Sequence, residues 1–188
     1  MTLFLIGLAG FFGLHFFSAL RSRAEGKDIR KRMGEARYMG LYSVISLVFF
    51  IVMLVGYGRA PEGAPVWIGP DIARTLSIPL NIIALILVAA AYTPTGKIKR
   101  AVHHPMMLGV LIWSLSHLFI GGDLPKTLLF GAFAIYSAVS ILAAFRRGDR
   151  VEAYPRTIGD VLAVLGGGAA SVVMIYGGHA LITGISLT

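Results

Sequence analysis

Residues Thr2–Arg37 read TLFLIGLAGFFGLHFFSAL followed by RSRAEGKDIRKRMGEAR. The first part, Thr2–Leu20, holds no Asp, Glu, Lys or Arg. The second holds seven Lys or Arg: Arg21, Arg23, Lys27, Arg30, Lys31, Arg32 and Arg37. An uncharged apolar run of about 20 residues, rising ~1.5 Å per residue as a helix, crosses the hydrocarbon core of a bilayer. The basic block behind it marks the cytoplasmic side. A cleavable leader carries its basic residues before the apolar run. Here the order is reversed, so Thr2–Leu20 is expected to stay as a first helix.

The pattern repeats along the chain. Five more apolar stretches follow: Tyr38–Tyr57, Leu76–Tyr92, Met106–Gly121, Thr127–Phe145 and Ile158–Leu187. Their continuous rather than alternating hydrophobicity points to helices and argues against a closed barrel. Fourteen Lys and Arg fall in the first, third and fifth loops. Only Arg59, Arg74 and Lys126 fall in the others. The expectation is an all-α integral membrane bundle of six transmembrane helices, one domain over residues 1–188, with both termini on the outer, periplasmic side.

The composition fits. Of 188 residues, 56% are hydrophobic and 14% charged, and the mean hydropathy is +0.78. A net charge of +8 would suggest nucleic-acid binding in a soluble protein. In this chain the basic residues read instead as loop charges facing anionic lipid, with no nucleic-acid partner. The absence of cysteine excludes disulfides, thiolate metal sites and a cysteine nucleophile. Pro61, Gly63, Pro65, Gly69 and Pro70 suit an outer loop, and Gly121-Gly122-Asp123-Leu124-Pro125 a tight one. Gly7, Gly10 and Gly13, Gly166-Gly167-Gly168, and Gly177-Gly178 suit close helix contact or room for a flat ligand. Asn81 and Pro79 are the midspan polar and breaking residues of the third stretch, too few for the broken inverted repeats of a transporter.

Five histidines are present, and His15, His117 and His179 fall inside apolar stretches. Ionisable residues at such depth are functional candidates, against the alternative of a neutral histidine bonded to a neighbouring helix. Neutral imidazole ligates metals, but the companions of a zinc site are missing. Two histidines suit haem, whose porphyrin supplies four further ligands. His104 and His117 lie on nearly opposite faces of one helix, so a second helix must contribute. His15 lies about 5 Å to the cytoplasmic side of its helix centre, and His117 about 5 Å to the outer side. His179 matches the depth of His117 better, so the residues leave the pair open. His104, before Pro105 in a first helical turn, reads as a solvated residue at the membrane edge.

The chain resembles the NnrU family. The matching pieces are Gly13-Leu14-His15 with Leu20-Arg21, Gly34-Glu35-Ala36-Arg37-Tyr38 with Leu41-Tyr42-Ser43, and Gly56-Tyr57-Gly58-Arg59. To these add Ala91-Tyr92 with Pro94, His104-Pro105-Met106, and Leu111-Ile112-Trp113-Ser114-Leu115-Ser116-His117-Leu118 with Gly122-Asp123-Leu124 and Leu129-Phe130-Gly131. The likeness is strongest over residues 5–147. That family is named for an association with nitrite and nitric oxide reduction in denitrifying bacteria. It is similar to plant-type 15-cis-zeta-carotene isomerase, which uses haem b with two histidine ligands.

The resemblance implies haem b held by His15 and His117, with His104 and His179 as alternatives, in a bacterial inner membrane. It implies an accessory or redox role with a respiratory redox partner, or else cis–trans isomerisation of a carotenoid-like isoprenoid. His103 stands where the family usually has Arg, and Tyr136 stands near a further histidine of the plant enzyme. The His-Pro helix start also looks like isoprenylcysteine carboxyl methyltransferases, but no convincing acidic pair accompanies Arg146, Arg147 and Arg150. A non-catalytic assembly or transport partner is the remaining reading.

Overall fold

A computed structural model describes residues 1–188. The regular structure is helical apart from two strands of two residues, β1 (Trp67–Ile68) and β2 (Gly121–Gly122), which pair with each other. The helices are α1 (Thr2–Leu20), α2 (Ile29–Met33), α3 (Glu35–Gly58), α4 (Ile72–Tyr92), α5 (Lys97–Val102), α6 (Pro105–Ile120), α7 (Leu124–Arg146), α8 (Thr157–Val173) and α9 (His179–Thr183). All six apolar stretches are therefore helical, while the short α2 and α5 inside the basic loops carry no apolar signal in the sequence. Five helices are long and apolar enough to cross a membrane: α1, α3, α4, α7 and the stretch Thr157–Thr183. The expected fourth span, α6, has only 16 residues. His104-Pro105 fixes its start, and Gly121 at φ +90° turns the chain at its end.

These helices carry their apolar side chains outward. Leu41, Val44, Leu47, Val48, Ile51 and Leu54 of α3 are all exposed. In water such a surface would be costly, at about 25 cal/mol per Å². A lipid environment removes the cost, and several apolar helices of this kind fit a multi-pass membrane protein.

The chain divides into two compact units, residues 1–67 with 122–132 and residues 68–121 with 133–188. In the first unit α1 packs on α3. A Cβ at Gly7 would run into the backbone of Met53, and one at Gly56 into the backbone of Phe4. The two helices thus touch main chain to main chain, with Phe4 and Met53 fully buried beside the contact. Gly13, by contrast, has nothing close to it. This close approach is how helices gain dispersion contacts where lipid is as apolar as leucine.

In the second unit α4 packs on both α6 and α8. Gly109 of α6 meets the Ala84 carbonyl, where a Cβ would lie 2.7 Å away. Gly167 of α8 meets the Ile86 backbone in the same manner, whereas Gly168 faces open space. Pro79 sits inside α4 without ending it.

One end of this unit is clasped by polar bonds. Asp160 of α8 accepts from the Lys97 and Ile98 amides at 2.8 and 2.9 Å, satisfying the first turn of α5. The Arg156 amide donates to the Thr95 carbonyl, and Lys99 Nζ donates to the Ala91 and Thr93 carbonyls at the end of α4. The last apolar stretch is not one helix. The chain kinks within Met174–Gly178, where Tyr176 (φ −93°, ψ 18°) and Gly177 (φ +149°) leave helical geometry, and α9 follows the kink.

The glycine contacts predict opposite outcomes one residue apart. Gly167→Ala should destabilise the protein in detergent by about 1–3 kcal/mol through overpacking. Gly168→Ala should leave stability unchanged or raise it by up to ~1 kcal/mol through helix propensity. Thermal unfolding of the two variants side by side checks this; equal shifts would show that α8 does not lean on α4 at Gly167.

Candidate functional site

His15 and Phe11 occupy successive turns of α1, and the spacing of four brings the imidazole back over the Phe11 carbonyl. His15 Nδ1 lies 2.8 Å from that oxygen. A carbonyl can only accept, so Nδ1 carries the proton and Nε2 carries the lone pair. The ring rests on the Phe11 ring at 4.0 Å and beside the Tyr42 ring at 5.4 Å. Phe11, His15, Tyr42, Ser43, Ser46, Leu47 and Phe50 line an open groove between α1 and α3 of about 420 Å³. That volume lies in the range of small-molecule and cofactor sites.

His117 repeats this arrangement on α6. Its Nδ1 lies 2.8 Å from the Trp113 carbonyl, four residues earlier, so Nε2 again carries the lone pair. Its ring lies 5.3 Å from the Trp113 ring, which in turn meets Phe133 edge-on at 5.2 Å. The neighbouring helix adds a brace. Asn81 of α4 donates to the Ser116 hydroxyl at 2.9 Å and to the Ser77 carbonyl at 2.7 Å. Ser116, almost fully buried, donates to the same Trp113 carbonyl at 2.8 Å. The Trp113 oxygen therefore receives two donors, one of which is the histidine. Asn81, read from sequence only as a midspan polar residue, holds the turn that carries His117.

The other histidines are used differently. His103 ends α5 with φ +58°, and its Nδ1 accepts from the Val151 amide at 3.2 Å. The proton of His103 is therefore on Nε2, the reverse of His15 and His117. His104 stands just before α6 with its ring edge on Phe145 at 5.6 Å. Its Nε2 is buried without a hydrogen-bond partner, where a solvated residue had been expected. His179 follows the kink at Tyr176–Gly177 rather than sitting inside one continuous helix. Its Nδ1 donates to the Ile185 carbonyl at 2.8 Å and lies 3.1 Å from Thr183 Oγ1, closing the C-terminal turn. Arg147 and Asp149 pair with each other in their loop.

Around the groove stand residues that sequence reasoning did not assign a role. Tyr38 and Tyr42, four apart on α3, stack at 6.2 Å and 17°. The Arg21 guanidinium lies 5.5 Å over the Tyr38 ring. Its Nε meets Asp28 Oδ1 at 3.3 Å, with both side chains over nine-tenths buried. The i, i+4 spacing of the tyrosines was a readable signal; the return of Asp28 from the loop was not.

The donor chemistry can be tested against a metal group. Neither unit gathers three His, Asp or Glu side chains as a protein-only metal cage would need. A metal-ligating histidine usually donates its second N–H to a carbonyl or carboxylate, which fixes its tautomer and orientation. His15 and His117 both do so, and they fit a metal group that brings its own equatorial ligands.

The fold and these residues define a helical membrane-type protein with oriented histidines on apolar helices. The family model described as NnrU protein matches residues 3–187, and the chain belongs to the NnrU family. The match continues past the stretch of strongest resemblance, through α8 and α9. No curated protein and no solved structure matches the chain.

The Asn81 brace gives a direct expectation. Asn81→Leu should cost about 1–2 kcal/mol by removing the two donated bonds. It should also change the ¹⁵N signals of the His117 imidazole while those of His15 stay in place. Imidazole ¹⁵N spectra of the labelled protein check this, and an unmoved His117 signal would mean the brace does not hold the ring.

Proposed function

We propose that this NnrU-family protein binds haem b through His15 and His117. We further propose that it serves an accessory or redox role in nitrite and nitric oxide reduction, in the inner membrane of a bacterium. The observation that carries the reading is the shared device at the two residues. In each, an aromatic residue four positions earlier supplies the carbonyl that takes the Nδ1 proton, at 2.8 Å. Nε2 is left as the basic nitrogen that iron ligation requires. The aromatic and aliphatic side chains of the groove at His15 suit the face of a porphyrin. Haem held by His15 and His117 would supply one-electron chemistry, and the two imidazoles would tune its potential.

The topology that goes with this reading has six spans and both termini outside. Two observations support it. All six apolar stretches are helical. The third and fifth basic loops meet at one end of the second unit, where Arg156 bonds Thr95 and Arg100 lies over Tyr154.

A second reading, haem-dependent isomerisation of a carotenoid-like isoprenoid, is favoured by one feature. The groove at His15 is open and largely apolar, with Leu47 and Phe50 on its wall. The methyltransferase reading gains no such support.

The absorption spectrum decides between having and lacking the cofactor. Protein expressed with ample haem should show a Soret band, and His15→Ala and His117→Ala should each abolish most of it. His104→Ala and His179→Ala should leave it intact. Wild-type protein without the band would overturn the reading. A band that survives both His15→Ala and His117→Ala would overturn the ligand assignment.

A further inference from the structure

The first basic loop is a folded cap rather than a bare tether. Asp28 caps α2 by accepting from the Arg30 amide at 3.0 Å. The same carboxylate holds Arg21, whose second nitrogen donates to the Ser18 carbonyl at 2.8 Å. Gly26 and Gly34 turn the chain on either side of α2 at φ +71° and +85°. Arg30 pairs with Glu35. Lys27, Lys31 and Arg32 are exposed on this cap, and Arg37 is exposed at the start of α3.

Directly beneath it begins an unbroken series of ring contacts. Arg21 covers Tyr38, Tyr38 stacks on Tyr42, and Tyr42 lies 5.4 Å from His15. Tyr38 is only 7% exposed. No gap in the series exceeds a ring-to-ring contact, and the series runs from the charged cap to the wall of the groove.

We propose that this cap is the docking surface for an acidic one-electron carrier protein, with Tyr38 and Tyr42 forming the route from the docked carrier to the site at His15. The inference rests on the haem reading for its acceptor and on charge complementarity for its partner. A fixed array of like charges steers an oppositely charged protein and sets its orientation. A buried Asp28–Arg21 pair keeps that array in one shape over the tyrosines. The electron balance is simple: the carrier would give up one electron, and a haem held at His15 would take it up. An anionic lipid surface is the competing occupant of the cap.

The test uses full-length protein in nanodiscs of zwitterionic phosphatidylcholine, with reduced flavodoxin, an acidic flavin protein, as the probe. Flavodoxin should bind at low salt, and binding should fall as salt rises. Lys31→Glu with Arg32→Glu should abolish it. In haem-loaded protein, reduction by flavodoxin should slow about tenfold in that double variant. A similar loss, taken relative to each variant's own rate with dithionite, is expected in Tyr42→Leu and not in Tyr42→Phe, while the double variant keeps the wild-type rate with dithionite.

Absence of flavodoxin binding at low salt would overturn the docking surface, and so would equal binding by the double variant. Tight retention of phosphatidylglycerol by the cap, without carrier binding, would assign it to lipid and overturn the proposal. Equal carrier rates in Tyr42→Leu and wild type would overturn the tyrosine route. A protein with no Soret band that still binds flavodoxin in a charge-dependent way would keep the docking surface, while the haem reading and the route both fall. An intact Soret band without carrier binding would do the reverse.

Discussion

Hydrocarbon offers a polar group no partner, so every donor and acceptor within these helices must be met by the chain itself. That constraint governs the backbone, which is helical over most of each apolar stretch. Many side chains follow it, although His104 Nε2 and the Ser137 and Ser140 hydroxyls stay buried without a partner. Ser114, Ser116 and Ser171 each return their hydroxyl to a carbonyl three or four residues earlier. His15 and His117 do the same with Nδ1. For serine this habit merely silences a polar group. For histidine it has a second effect, because tying down one ring nitrogen decides what the other can do.

The two histidines thus acquire a ligand-type tautomer from purely local geometry, before any cofactor is considered. What differs between them is the support. His117 depends on a neighbouring helix, through Asn81 and Ser116. His15 depends on ring contacts with Phe11 and Tyr42, and Tyr42 leads through Tyr38 to the ion pair of Arg21 and Asp28. Pieces of the NnrU resemblance that are scattered in sequence, His15, Arg21, Tyr38, Tyr42 and Ser43, meet in one corner of the first unit. Their separation along the chain hides what is a single structural neighbourhood.

Much of the fold was legible because hydropathy reports helices in lipid directly. Thr2–Leu20 is bounded as read, and α3, α4 and α7 extend past the expected limits by a few residues at their polar ends. Those extensions carry charges such as Glu35 and Arg146, which helices tolerate at a membrane edge and hydropathy discounts. The helix α5 was not legible, because its first turn is capped by Asp160 from 62–63 residues away, and α2 is a five-residue turn whose local sign is its N-cap Asp28. The kink before His179 was hidden because Gly177-Gly178 permits either close packing or a break, and only the backbone shows which. For the site, the sequence supplied the histidines and the family, while the tautomers and the Asn81 brace follow from distances alone.

The clasp at Asp160 also bears on how the chain is made. Its two partners, the amides of Lys97 and Ile98, precede it by 63 and 62 residues. At synthesis rates of about 5–20 residues per second, those amides leave the ribosome roughly 3–13 s before their acceptor exists. Through that interval they need water, which holds the α4–α6 connection at the membrane surface and keeps it out of the hydrocarbon. Helix α8 therefore completes a junction opened three helices earlier, and a chain truncated before α8 would leave that junction permanently wet.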